Sequence, residues 1–163
     1  LVQKQVLELP KPSTLKSAGN SITVKSLQGI VLDDAQAELT GNWSRSTNFK
    51  PYIGSGYLFT GKKGDGKSTA TFRFKVPSSG QYQLLMAYSS HKIRAKNVSL
   101  KVTSGTNSKN LLIDQTMPLG EGKRFRPIDT FTLNAETENV IHISSMNTTG
   151  FVILDALQLL PLK

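Results

Sequence analysis

Short segments in which apolar and polar residues alternate make up most of the chain after residue 20. In residues 69–76, Ala70, Phe72, Phe74 and Val76 alternate with polar or charged residues, a period of two that is typical of a strand with one buried face. Gly, Asn, Ser or Pro separates such segments at intervals of about 8–12 residues. The pattern predicts strands near residues 21–26, 29–33, 37–41, 43–46, 56–60, 69–76, 81–89, 97–104, 111–115, 128–133, 139–145 and 151–160.

Helical periodicity is missing from the same sequence. The nearest candidate for an apolar stripe at helical spacing, residues 32–39, is short. Many short strands with regular turn signals favour an all-β fold, an antiparallel β-sandwich of the jelly-roll type. A chain of 163 residues is long enough for one domain and hardly for two. We therefore expect a linker or surface strap over residues 1–28 and the sandwich over residues 29–163.

Composition excludes several kinds of site. The chain has no cysteine, so it has no disulfide, thiolate metal site or cysteine nucleophile. No stretch approaches the roughly 18 apolar residues of a membrane span, and the first residues lack the apolar centre of a signal peptide. These observations favour a fragment or a mature form of a longer protein.

Residues 61–68, GKKGDGKS, match the phosphate-binding loop of nucleotide-binding proteins letter for letter. That loop needs a helix after it, because the NH groups at the start of the helix hold the phosphates. The residues after Ser68 alternate with a period of two, which predicts a strand instead. We therefore interpret the segment as a basic, glycine-rich connection that binds no nucleotide.

Groups that could carry out catalysis are few. His91 and His142 are the only histidines, and neither has the spacing of a paired metal ligand. No GxSxG nucleophile motif occurs, and Asp33 and Asp34 are the only adjacent acidic residues. The inventory favours a binding domain over an enzyme.

Positive charge is concentrated in two parts of the chain, whose net charge is +9. Residues 45–75 contain seven basic residues against one Asp, and residues 91–126 contain eight against two acidic residues, whereas residues 127–163 are net acidic. Such a zone attracts polyanions such as nucleic acid, anionic polysaccharide or an acidic membrane surface. The alternative is that the lysines only keep the surface soluble.

Asp155 shares the parity of Ile153 and Leu157, so the strand pattern directs its carboxylate into the core. An unpaired buried carboxylate is costly. We expect its partner to be backbone NH groups or an arginine, or else a structural calcium ion shared with Asp33 or Asp34, since calcium prefers oxygen ligands. No other cofactor is expected.

Four separated blocks occur in the order of a known family's motifs: residues 29–46, 52–59, 70–102 and 151–161. The matching positions are Asp33, Asp34, Ala37, Gly41, Trp43, Gly54, Gly56, Tyr57, Leu58, Gly80, Tyr82, Arg94, Ala95, Asn97, Val98, Asp155 and Ala156. Over about residues 29–161 the chain resembles the golvesin-like, or xanthan-lyase carbohydrate-binding-like, domain. Residues 103–125 depart most from that pattern.

The resemblance implies an all-β sandwich that is an accessory domain of larger bacterial proteins, among them polysaccharide lyases. It implies a non-catalytic carbohydrate-binding module within a secreted or periplasmic protein. The partners would be a polysaccharide and the other domains of the parent protein. Together with the basic zone, it favours an anionic polysaccharide as the ligand. The alternatives are a structural or docking domain that packs on its parent protein, and a nonspecific polyanion binder, with nucleic acid the less favoured partner.

Sugar-binding modules stack sugar rings on exposed aromatic side chains. Tyr52, in a loop, is the best exposed candidate, whereas Trp43 is expected to be more buried. Arg94 could bind a carboxylate or sulfate with two hydrogen bonds, or it could hold its loop to Asn97 and Asp155. The predicted ligand-binding residues are Trp43, Tyr52, Tyr57, Lys62, Lys63, Lys67, His91, Lys92, Arg94 and Asn97.

Overall fold

A computed structural model describes residues 21–60 and 66–163 of the chain. Within them, two 3-10 turns, Val24–Ser26 and Asp34–Gln36, are the only helical segments. The strands are β1 (Ser21–Ile22), β2 (Ile30–Asp33), β3 (Glu38–Thr40), β4 (Trp43–Ser46), β5 (Tyr52–Ile53), β6 (Tyr57–Thr60), β7 (Thr69–Phe74), β8 (Gly80–Ala87), β9 (Val98–Ser104), β10 (Asn107–Ile113), β11 (Arg126–Leu133), β12 (Asn139–Ser144), β13 (Ile153–Leu154) and β14 (Ala156–Pro161).

Two antiparallel sheets form the body of a β-sandwich. Their strand orders are β10-β9-β12-β7-β3 and β11-β8-β14-β2. One hydrophobic core lies between them, to which the first sheet contributes Phe72, Leu100 and Ile141 and the second contributes Leu84 and Leu157. Along β7, β8, β9 and β12, buried side chains alternate with more exposed ones. This alternation arises because successive residues of a strand point to opposite faces of the sheet. The predicted β-sandwich is confirmed.

The chain crosses repeatedly between the two sheets, for example from β7 to β8 and from β10 to β11. Such connections pass over the ends of the sandwich, as in jelly rolls. Two smaller sheets, β13-β6-β4 and the parallel pair β1-β5, complete the fold. The crossings place the connections at residues 47–51, 88–97 and 114–125 where they can line a common site.

Three of the predicted strands differ most from those observed. The one predicted near residues 21–26 is only β1, Ser21–Ile22, followed by the 3-10 turn Val24–Ser26. β10 begins at Asn107 rather than near residue 111, because residues 107–110 are exposed and polar and pair through their backbone at the edge of the sheet. The predicted strand at residues 151–160 is divided into β13 and β14, with Asp155 between them. β5 was not predicted; its two residues pair with β1.

Residues 21–28 cover the outer face of the second sheet. Ile22, Val24 and Leu27 pack on a small second cluster formed by Ile53, Ala87, Phe125 and Ala156. This part of the predicted strap is therefore packed on the sandwich, while residues 1–20 lie outside the described residues. The domain boundary at residue 28 stays a prediction.

The phosphate-loop-like segment leads into a strand. Residues 61–65 lie outside the described residues, but β7 begins at Thr69, directly after Ser68. No helix start is available there to hold phosphates, as the alternating pattern predicted.

Candidate functional site

Three connections meet at one end of the sandwich and enclose two adjoining cavities. They are residues 47–51 after β4, residues 88–97 after β8, and residues 114–125 after β10. The cavities measure about 440 Å³ and about 180 Å³, and both are lined by Phe49. We call them the wide cavity and the aromatic cavity.

The aromatic cavity has walls from several parts of the chain. Tyr57 and Phe59 are two apart on β6, so they extend from the same face of that strand. Phe151 approaches through an isolated parallel bridge to Arg94. This approach requires glycine at position 150, because a Cβ there would lie 2.5 Å from the Arg94 carbonyl carbon. The full lining is Ser46, Asn48, Phe49, Tyr57, Phe59, Ile93, Arg94, Phe151 and Ile153.

Arg94 is a buried cation in this cavity, with only 6% of its surface exposed. Its Nε donates to the Ser89 carbonyl at 2.9 Å, and its Nη2 donates to Ser89 Oγ at 3.1 Å. Its Cζ lies 4.7 Å from the centroid of the Phe49 ring. Burial lowers the pKa of Arg94, yet a guanidinium stays protonated in proteins. Of the two roles considered for Arg94, the tether to Asn97 and Asp155 is not observed among the described residues; Arg94 is held by Ser89 instead.

Phe49 separates the two cavities and is the exposed aromatic residue of the site, at 39% exposure. Its ring meets His91 edge to face, with centroids 5.7 Å apart, and its backbone NH donates to the Tyr57 hydroxyl at 3.2 Å. The ring predicted from the sequence was instead Tyr52, which lies in β5 directly after this connection. Phe49 could have been identified from the sequence as the one aromatic residue in the otherwise polar run of residues 44–50, which is followed by Pro51.

The charged side chains that line the wide cavity are mainly basic. Lys50, Lys123 and Arg124 line it, against Glu121 and the buried Asp155. Ser89 and Ser90 add hydroxyl groups that can bind sugar hydroxyls. Lys123 and Arg124 were not among the predicted ligand-binding residues, and they lie in the segment that departs most from the family pattern.

The predicted aromatic residues are mostly packed rather than presented to solvent. Trp43 is half-buried against the core, and its Nε1 donates to the carbonyls of Thr40 and Thr69, both at 3.0 Å. Tyr52 is also half-buried and packs on the core as part of β5, so it is not the exposed ring that was expected. Tyr57 is buried, and its hydroxyl accepts the hydrogen bond from Phe49.

The predicted polar residues are only partly brought together. His91 accepts a hydrogen bond at Nδ1 from the backbone NH of Ile93, at 3.2 Å. Asn97 donates from Nδ2 to the Asn147 carbonyl at 2.6 Å. Lys67 and Lys92 are exposed but line neither cavity, and Lys62 and Lys63 lie outside the described residues. Arg94 and Tyr57 are thus the predicted residues that line a cavity.

A second polar cluster lies beneath the wide cavity. Both carboxylate oxygens of Asp155, which is 4% exposed, accept from the Ile53 NH, at 3.2 and 3.1 Å. The predicted backbone partner of this carboxylate is confirmed. Asp34 is buried and pairs with Arg45, with Nη2 and Oδ1 3.3 Å apart.

Burial is the main cause that raises the pKa of Asp155 to about 8, and the charges of Asp34 and Asp33 add to the rise. The hydrogen bond from the Ile53 NH and the charge of Arg45 act in the opposite direction. Burial and the charge of Asp33 likewise raise the pKa of Asp34 to about 7. Near pH 7, Asp155 is therefore held largely in its neutral form, whereas Asp34 is near the midpoint of its titration.

The three acidic residues do not form a ready calcium site as they are arranged. Calcium needs about six oxygen ligands, whereas Asp34 is directed to Arg45 and Asp155 to the Ile53 NH. Asp33 Oδ1 is buried and has no hydrogen-bond partner among the described residues, and Asp33 Oδ2 accepts from the Ala35 NH. In residues 21–60 and 66–163, no group of three His, Cys, Asp or Glu side chains is placed to hold a metal ion.

Residues 30–161 match the family model described as Golvesin C-terminal domain. A curated xanthan lyase of Bacillus sp. (strain GL1) is 22% identical over 138 residues, which are 81% of this chain and 14% of that protein. In the structure of Paenibacillus xanthan lyase, the similar region is 29% identical with a TM-score of 0.72 and covers 82% of this chain and 13% of that one. The chain therefore spans about one seventh of the length of these lyases.

A family 35 carbohydrate binding module from Clostridium thermocellum has the same fold. It is 18% identical, with a TM-score of 0.59, and the match covers 83% of this chain and all of that module. At this identity the likeness concerns the fold alone. Across the described residues, no helix is long and apolar enough to cross a membrane.

Proposed function

The chain belongs to the Golvesin C-terminal domain family, and we propose that it is a non-catalytic carbohydrate-binding module that prefers anionic polysaccharides. In this proposal it is an accessory domain of a larger secreted or periplasmic protein. The similarity to a small part of xanthan lyases and to the whole of a carbohydrate-binding module supports this role. A structural calcium at Asp33, Asp34 and Asp155 is not part of the proposal, because two of these carboxylates are directed to Arg45 and Ile53.

The observation that carries the proposal is the pair of cavities that lie on either side of Phe49. A partly exposed ring can stack on the CH face of a sugar, and the two serines of the wide cavity can bind its hydroxyl groups. Lys50, Lys123 and Arg124 add three positive charges at the same place. A polysaccharide that carries negative charges is therefore favoured over a neutral one.

The arrangement favours binding over catalysis. Asp155 lines the wide cavity and has a raised pKa, as catalytic acids often do, but both its oxygens are held by the Ile53 NH. Glu121 lies in the same cavity and is exposed. The remaining lining groups are suited to hydrogen bonding, stacking and ion pairing.

Affinity electrophoresis and calorimetry with polygalacturonate, heparin, DNA and neutral mannan test the proposal. We expect polygalacturonate or heparin to bind more tightly than mannan, with an affinity that falls as salt is added, because salt screens exposed charges. Phe49→Ala should weaken binding about tenfold, the loss of roughly 1.4 kcal/mol expected for one ring contact.

A pair of matched charge variants locates the site. Lys123→Gln with Arg124→Gln removes two charges from the wide cavity. Lys75→Gln with Lys101→Gln removes two exposed charges that line neither cavity, one directly after β7 and one on β9. Only the first pair should weaken anionic binding strongly. Equal losses in both pairs, or equal binding of DNA and the two acidic polysaccharides, would replace this proposal with a nonspecific polyanion binder.

A further inference from the structure

We propose that the aromatic cavity is a subsite for a single carboxylated sugar, whose carboxylate pairs with the free end of the Arg94 guanidinium. The inference rests on the proposed carbohydrate-binding function and assigns a part of the ligand to one named residue. It goes beyond a general preference for negative charge, since it requires a planar carboxylate at one position.

The hydrogen bonds of Arg94 leave one edge of its guanidinium open. Ser89 occupies the edge formed by Nε and Nη2. Among the described residues, no group accepts a hydrogen bond from Nη1, and no carboxylate lies within 4 Å of Arg94. The edge formed by Nη1 and the second Nη2 hydrogen presents two parallel donors, the geometry that binds a carboxylate with two hydrogen bonds.

The charge of Arg94 is not neutralised by the walls of its cavity. None of the nine residues that line it is Asp or Glu, and most are aromatic or aliphatic. Buried charges in proteins are ordinarily paired, because an unpaired buried charge is costly. A bound anion would supply the missing partner, and the apolar surroundings would strengthen that pairing compared with one on the surface.

The walls also distinguish between anions. A carboxylate places both its oxygens on the two guanidinium donors and has no third oxygen to satisfy. A sulfate ester has a further oxygen that needs a donor, and apart from Arg94 only Ser46 and Asn48 among the lining residues have polar side chains without an aromatic ring. The cavity is therefore expected to select a carboxylate over a sulfate.

The size of the cavity limits what enters it. A cavity of about 150 Å³ admits one benzene ring, so the roughly 180 Å³ here admits one pyranose ring and not a chain of them. The bound unit would thus be a chain end or a side branch. The rest of the polysaccharide would cross Phe49 into the wide cavity.

NMR titration of the native domain tests this assignment. The probes are the methyl glycosides of glucuronic, galacturonic and mannuronic acid, each with its neutral hexoside, and glucose 6-sulfate. The Arg94 Nε–Hε signal, assigned by its loss in Arg94→Lys, should shift with at least one uronoside. The neutral hexoside and the sulfate should bind at least tenfold more weakly.

A second pair of variants covers the case in which Arg94→Lys fails to fold. Ile93→Trp places a large ring at the mouth of the aromatic cavity from a side chain that is 39% exposed, and Leu112→Trp makes the same change at a 72% exposed position on β10. Ile93→Trp should abolish uronoside binding, whereas Leu112→Trp should leave it unchanged.

The outcomes separate this inference from the proposed function. If acidic polysaccharides bind the domain but no uronoside shifts the Arg94 signal, or if Ile93→Trp binds uronosides as the native domain does, the carboxylate subsite is overturned and the binding function stands. If no polysaccharide binds at all, the proposed function fails, and this inference fails with it.

Discussion

Replacing Asp155 by Asn is expected to make the stability of the domain less dependent on pH between pH 5 and pH 7. Asp155 is 4% exposed, and burial raises its pKa to about 8 in the folded protein. The ordinary value is 3.8. Asn has nearly the same shape and can still accept the Ile53 hydrogen bond, but it cannot ionise. The substitution therefore removes the titration while keeping the contact.

The sign follows from the proton balance. Between these two pKa values the folded protein holds a proton that the unfolded chain has released, so the free energy of unfolding falls as pH rises. The slope is about 1.4 kcal/mol per pH unit for one group, which gives an upper value of about 3 kcal/mol from pH 5 to pH 7. Asp34, with its pKa raised to about 7, acts in the same direction and keeps part of the dependence in the variant.

Urea unfolding, followed by the fluorescence of Trp43, measures the effect at each pH in the presence of EDTA. The native midpoint should fall steadily from pH 5 to pH 7, and Asp155→Asn should show a clearly shallower decline at an unchanged m-value. Asp129→Asn is the control, because a side-chain bond from Lys109 lowers the pKa of Asp129. Asp129 is therefore ionised throughout pH 5 to pH 7 in both the folded and the unfolded protein. Asp129→Asn should change the free energy of unfolding by the same amount at every pH in this range.

An Asp155→Asn variant with the same pH slope as the native domain would refute the reasoning. Such a result would mean that Asp155 is already ionised in the folded protein at pH 5. The charge would then be stabilised by Arg45 and the Ile53 NH more strongly than burial opposes it.

Two further predictions concern ligands that the sequence suggests. Asp34 is directed to Arg45 and Asp155 to the Ile53 NH, so an excess of EDTA should leave the melting temperature of the domain unchanged. A melting temperature that EDTA lowers and added calcium restores would support the calcium site instead. Because β7 follows Ser68, the native domain and Lys67→Ala should both fail to bind ATP with magnesium in calorimetry, and binding that is lost in the variant would contradict this interpretation.

Much of the fold could be predicted from the sequence because its signals are local. The alternation in residues 69–76 depends only on which face of one strand is buried, and it corresponds to β7. Asp155 is buried as predicted, but parity is not the reason, because the strand is interrupted at this residue and its neighbours Leu154 and Ala156 are buried too. Turn residues marked most strand ends, and four blocks of motifs indicated the family over nearly the whole domain.

The candidate site depends on the tertiary structure. Phe49, Ser89 and Lys123 are far apart in sequence, and only the crossings between the two sheets bring their connections to one end of the sandwich. The sequence alone therefore determined the strands, the sandwich and the basic charge. Which aromatic ring is exposed, and whether a buried arginine has a carboxylate partner, was decided by long-range packing. Burial and pairing are set by neighbours that no local pattern of residues specifies.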